Sequence, residues 1–210
     1  MELRAPSDGV PMFPLGRVLF PYEILPLHVF EPRYRALVRD VLASAGEFGV
    51  VLIERGREVG GGDIRFAVGT LARIVRAERA PDGRYGLVTV GVRRVRVDEW
   101  LPDDPYPRAR VVALDEPTPD ASAEAGVERV AARLAEVAAL ARRIDPRVED
   151  PPTLPEDPVR AAWEAAAVAP LGPLDAQRVL EAASAGERLS ALEAFLAEQA
   201  AALRFRIGPD

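Results

Sequence analysis

The chain holds one histidine, His28, and five serines, while cysteine and lysine are absent from all 210 residues. Those types bound the chemistry. His28 could act as a base toward Ser7, Ser44, Ser122, Ser184 or Ser190. None of the five lies in a Gly-x-Ser-x-Gly elbow. Ser184, three residues before Glu187, instead has the spacing of a helix-capping box. His28 stands beside Pro26 in a strand-like stretch and reads as a hydrogen-bonded structural residue. Without lysine there is no Walker-type phosphate loop, Ser–Lys dyad or Schiff base. Without cysteine there is no disulfide, thiol nucleophile or thiolate metal site. No catalytic residue, metal or cofactor is assigned.

Binding chemistry is better represented. Between Arg73 and Arg96 seven arginines face only Glu78 and Asp82. Arg73, Arg76, Arg94 and Arg96 would form a nucleic-acid face if they share a surface. Against that, Arg94 and Arg96 alternate with Val95 and Val97, as a solvated strand face does, and Tyr85 is the stretch's only aromatic. Gly60-Gly61-Gly62 lacks the lysine of a phosphate loop and reads as a hairpin loop. Asp103-Asp104 and Glu149-Asp150 stand among prolines, as solvated linkers do.

The elements that must position these groups change character near Pro117. Up to Glu116 the chain carries 17 arginines and 17 acids; beyond it, 10 arginines and 16 acids in an alanine-rich sequence. The first part reads as strands and the second as helices. Val10 to Leu15 and Ile24 to Phe30 predict strands, with Pro14, Pro21 and Pro26 placing them at edges or bulges. Pro32 predicts a helix start, Gly46 its end, and the apolar run Phe48 to Ile53 a buried strand. Strands near 68–78 and 85–92 join through the turn Pro81-Asp82-Gly83. The apolar spacing then slips at Arg93-Arg94, implying a bulge or a turn, and a last strand spans 108–114. In the second part Val127, Val130, Leu134, Val137, Ala141 and Ile144 make one helical stripe. Shorter helices follow Asp157 and Asp175, and a final one carries Leu189, Leu192, Leu196, Leu203 and Ile207. The expectation is an α+β chain: a small β-barrel of six or seven strands with one short helix over 8–116, then a four-helix lobe over 117–210.

Several segments resemble, in order, the Lon protease N-terminal (substrate-binding) domain. They are Phe13-Pro14-Leu15, Leu19-Phe20-Pro21 and Pro26 to Tyr34, then Phe48 to Leu52, Val68 to Ala72 and Asp82-Gly83-Arg84. Gly91 with Arg94 to Val97, Gln177 to Glu181 and Arg188-Leu189 complete the series. The resemblance implies a PUA-like barrel followed by a helical bundle, here as a stand-alone chain without the ATPase and peptidase modules of Lon. It implies no enzyme but a module that recognises exposed or unfolded polypeptide segments, adaptor- or chaperone-like, beside a protease or chaperone system. An apolar groove at the barrel–bundle junction or an unpaired strand edge would receive the segment. Phe20, Tyr22, Phe30, Tyr34 and Trp163 are the candidate anchors, and an RNA-binding PUA-like domain is the alternative. No run spans a bilayer and the start lacks a signal peptide's apolar stretch, so the expected address is the cytoplasm.

Overall fold

The structure, a computed structural model, describes residues 9–56, 62 and 64–208. Contacts divide the chain between Asp115 and Glu116 into two compact units. The first contains β1 (Val10–Leu15), β2 (Ile24–Val29), α1 (Pro32–Leu42), β3 (Glu47–Arg55), β4 (Ile64–Arg79), β5 (Tyr85–Leu101) and β6 (Arg108–Ala113). The strands follow the order β2-β5-β4-β3-β1-β6, and β6 returns to pair with β5. Five strands therefore close into a barrel, and β2 is left outside as an edge strand on the first half of β5.

The local sequence explains most of this. The apolar run in β3 is buried on both faces. Phe48 and Val50 pack with Tyr34, Leu37, Val38 and Val41 of α1, and Val51 joins Met12, Leu71, Val95 and Val111 inside the barrel. Each such side chain contributes about 1.5–3 kcal/mol on burial, so the α1 face alone holds the helix firmly. Phe13 stacks on Tyr34 with centroids 4.2 Å apart. The Tyr106 hydroxyl donates to Asp40 at 2.7 Å; burial first, then that hydrogen bond, pushes the phenol up to about 12. Pro32 opens α1, and the turn after β4 closes through Gly83 N–H donating to the Ala80 carbonyl at 2.9 Å, with Gly83 at φ +82°.

Two expectations change. β1 is not an edge, since it lies between β3 and β6. Pro14 is tolerated there because β6 pairs only with Val10 and Pro11, and the last bond on that side is Met12 N–H to the Pro107 carbonyl at 2.8 Å. Residues 13–15 pair with β3 alone, and Pro14 falls in that one-sided stretch. The strand from Tyr85 does not stop at Val92 but continues to Leu101. Its bulge lies just before the predicted place: Ala72 opposes Gly91 and Leu71 opposes Arg93, which leaves Val92 as the extra residue.

The second unit holds α2 (Ala121–Arg142), α3 (Pro158–Val168), α4 (Pro173–Glu181) and α5 (Ala185–Ile207). Val130, Leu134 and Val137 of α2 and Leu189, Leu192 and Leu196 of α5 are buried, whereas Ile144 at the end of the predicted stripe is exposed. The Ser184 hydroxyl accepts the Glu187 N–H at 3.2 Å, and the Glu187 carboxylate accepts the Ala183 N–H at 2.9 Å. Arg188 is buried, with its guanidinium 3.7 Å from the Trp163 ring centroid and Nη2 donating to Glu116 at 2.7 Å. A guanidinium stacked on indole and paired with a carboxylate is among the cheaper ways to keep a cation in a core.

Gly91 is where residues 20–23 cross β5. A Cβ there would stand 2.1 Å from the Phe20 carbonyl oxygen, whereas one at Gly86 meets nothing within 4 Å. Gly91→Ala is expected to lower unfolding stability by about 1–3 kcal/mol and Gly86→Ala to change it little. Urea titrations of both variants check this, and equal midpoints would contradict it.

Candidate functional site

Side chains alternate across a strand, and β2 uses both faces. Leu25 and Val29 point inward and are buried, while Ile24, Pro26 and His28 point outward, in line with Tyr22 before the strand and Phe30 after it. Ile24 is 67% exposed, Phe30 52% and Tyr22 48%. The register sets Ile24 opposite Val90, Pro26 opposite Val88 and His28 opposite Gly86. On β4 the register shift between Ile74 and Arg76 leaves Val75 58% exposed. The outer surface of β2 and β5 is thus apolar and open to solvent, while on β4 Val75 is flanked by Arg73, Arg76 and Glu78, which stand opposite Val90, Val88 and Gly86. A shallow groove of about 460 Å³ runs along it, lined by Pro26, His28, Val88 and Gly86 and bordered by the Arg76–Glu78 ion pair. A contiguous exposed apolar surface of this kind marks an interaction site more often than not.

The segment before β2 holds Tyr22 in place. Tyr22 N–H donates to the Gly91 carbonyl at 2.8 Å, and Gly91 N–H donates to the Glu23 carbonyl at 2.9 Å. The Glu23 carboxylate accepts the Phe20 N–H at 2.9 Å and pairs with Arg17. Burial raises its pKa, against the lowering pull of those two partners. Tyr22 itself sits at φ +67°, a conformation that costs a bulky L-residue about 1–2 kcal/mol. Such strain persists only where the surroundings impose it, and it gathers at binding sites.

A second groove, of about 210 Å³, lies on the other side of β2 against β1 and the start of α1, with Phe13, Leu15, Leu27, Phe30, Glu31 and Tyr34 in its wall. Phe30 therefore borders this groove at one end of the outer face. No serine lines either groove that His28 lines. His28 is exposed and, among the described residues, its side chain makes no hydrogen bond; the expected structural hydrogen bond of the imidazole is absent.

Of the five predicted anchors, Tyr22 and Phe30 face solvent. Phe20, Tyr34 and Trp163 are 4%, 3% and 1% exposed, with Tyr34 stacked on Phe13 and Trp163 under the Arg188 guanidinium. Ile24, Val75, Val88 and Val90 belong to the outer face and were not among the sequence candidates. The predicted arginine face is divided. Arg94 is buried, Arg73 pairs with Glu47 at 2.7 Å and Arg76 pairs with Glu78, while Arg96 is exposed. The Gly60-Gly61 part of the glycine loop lies outside the described residues.

Residues 9–198 match the family described as the ATP-dependent protease La (LON) substrate-binding domain. The chain is 28% identical over 204 residues to Lon protease 1 of Herpetosiphon aurantiacus, covering 91% of this chain and 24% of that protein. It is 31% identical over 186 residues to the Lon protease of Desulfovibrio desulfuricans, covering 87% of this chain and 21% of that one. It thus spans about a quarter or less of these relatives. Among solved structures it is similar to a Lon N-terminal domain protein from Xanthomonas campestris, at 28% identity and TM-score 0.63, over 89% of this chain and 98% of that chain. The N-terminal domain of Mycobacterium avium complex Lon protease shares the fold at 19% identity and TM-score 0.65, over 91% of this chain and 99% of that chain.

The left-handed backbone at Tyr22 yields a test of its own. Glycine ordinarily weakens an extended segment relative to alanine, but at positive φ the order reverses. Tyr22→Gly is expected to be more stable than Tyr22→Ala by about 1 kcal/mol. Thermal melts of the two variants measure the difference, and the opposite order would show that the strain is not there.

Proposed function

The chain belongs to the ATP-dependent protease La (LON) substrate-binding domain family, and from that premise we propose that it holds exposed or unfolded polypeptide segments on the outer face of β2, β5 and β4. It would do so without chemistry of its own, as an adaptor or holdase-like factor beside a protease or chaperone system. A cytoplasmic address goes with that reading. Among the described residues no helix is long and apolar enough to cross a membrane.

One observation carries the proposal: Ile24 on an edge strand and Tyr22 and Phe30 at its two ends are about half exposed or more, with Val75, Val88 and Val90 beside them. Covering a few hundred Å² of apolar surface at about 25 cal/mol per Å² supplies several kcal/mol before the cost of association. That suits weak, sequence-tolerant capture of apolar stretches. Pro26 supplies no N–H, and His28 places a polar group on the same strand. Both features discourage uncontrolled strand addition along β2 and favour docking on the face.

The alternative, RNA binding through Arg73, Arg76, Arg94 and Arg96, has less support, because one of the four is buried and two are held in ion pairs.

The test is binding of a fluorescent unfolded polypeptide to the full chain, with labelled RNA in parallel and salt titrated in each. Saturable polypeptide binding that survives salt is expected. Phe30→Ala and Ile24→Ser should each weaken it by about 5- to 30-fold, equivalent to roughly 1–2 kcal/mol. Polypeptide binding indifferent to both substitutions, or RNA binding that collapses with salt and with Arg96→Gln, would overturn the proposal.

A further inference from the structure

Three arginines meet where α1 approaches the β4–β5 turn. Arg35 and Arg39 lie one helical turn apart on α1, and Arg79 ends β4. Together with Pro32, Gly83 and Tyr85 they enclose a recess of about 230 Å³. Arg35 lies against the turn: a Cβ at Gly83 would fall 2.1 Å from its Nη2, a contact that displacing the flexible guanidinium would relieve.

The carboxylates adjoining these residues in the chain, Asp82, Glu31, Glu78 and Asp40, are already engaged. Asp82 accepts from the Arg84 side chain at 2.6 Å and from its N–H at 3.1 Å, although it also feels the charge of Arg35. Glu31 pairs with Arg33 at 3.2 Å, Glu78 pairs with Arg76, and Asp40 accepts the Tyr106 hydroxyl. Among the described residues, no side-chain hydrogen bond or ion pair joins Arg35, Arg39 or Arg79 to any partner. Like charges at i,i+4 repel, and here a third cation is added in a chain whose net charge is −6. Folding alone gains nothing from that arrangement.

We propose that Arg35, Arg39 and Arg79 form an oxyanion site for a phosphate-class dianion. Guanidinium groups donate paired N–H bonds whose spacing matches phosphate oxygens. Three of them converging on one recess match a doubly charged group better than a single carboxylate. The site uses none of the residues of the outer apolar face, so it stands apart from the polypeptide reading. The phosphate could be free, or it could be a phosphoryl group on another molecule.

Isothermal titration of inorganic phosphate into the full chain, against chloride at matched ionic strength, tests the site; a phosphoserine peptide forms the second arm. Saturable phosphate binding is expected, weakened about fivefold or more by Arg39→Gln and by Arg79→Gln. Arg110→Gln, on β6 and paired with Glu99, should bind like the parent. Both test positions are exposed, and thermal melts would verify that the variants fold. Tighter binding of the phosphoserine peptide through the same arginines would identify a phosphorylated polypeptide as the source; preference for free phosphate would identify a small anion. Neither probe exceeding chloride, or both variants binding like the parent, would overturn the proposal.

Discussion

The first unit depends on one strand serving two structures. β5 is 17 residues long, and its two halves have different neighbours. From Val95 to Leu101 it pairs with β6 and closes the barrel; from Tyr85 to Val90 it carries β2. The join is at Gly91 and Val92, where an extra residue shifts the register against β4. There the Phe20 carbonyl also approaches too closely for any side chain. A bulge increases the local twist and bends the strand, so the first half of β5 leaves the barrel with β2 and the end of β4 beside it.

That departure creates the two surfaces that matter. The inner face of the flap is covered by α1, with Leu25, Val29, Tyr85 and Leu87 in the same core as Tyr34, Leu37 and Val41. The outer face is open, apolar along β2 and β5 and bordered on β4 by Arg73, Arg76 and Glu78. A soluble edge would ordinarily be charged throughout; this one keeps isoleucine, phenylalanine and tyrosine exposed, and it keeps Tyr22 there in a strained backbone. On the helix side, α1 brings Arg35 and Arg39 to the turn where Arg79 already stands. The open apolar strip and the arginine recess thus fall on different sides of β5, the first set by which residues of an alternating strand face outward and the second by α1 meeting the β4–β5 turn.

Much of this was legible in the sequence because the signals were local. Pro32 marked the helix start, Pro81-Asp82-Gly83 the turn, and the capping pair Ser184 and Glu187 the last helix. The slip in valine spacing after Val92 located the bulge to within a residue or two. The site was less legible for a definite reason. In β2 both parities are apolar, Ile24, Pro26 and Phe30 on one side and Leu25, Leu27 and Val29 on the other, so periodicity could not tell the face that α1 covers from the face left open. Aromatic type was equally silent: Phe20 and Phe30 look alike in sequence, yet one is buried and the other borders a groove. Arg94 shows the same limit from the charged side. It alternates with Val95 and Val97, which lie inside the barrel, and so takes the opposite face as the pattern predicts, yet it is buried there; alternation assigns the face of a strand but not what covers it.

The central claim is that an extended apolar polypeptide rests on the outer face of β2, β5 and β4. Methyl-resolved NMR of the full chain, titrated with an unlabelled unfolded polypeptide, addresses it most directly, because isoleucine and valine methyls report side-chain contact rather than stability. The account predicts that the methyls of Ile24, Val75, Val88 and Val90 shift together and saturate together, while those of Val130 and Val137 in α2 stay in place. Unmoved signals at these four positions, with saturable shifts elsewhere in the chain, would contradict it.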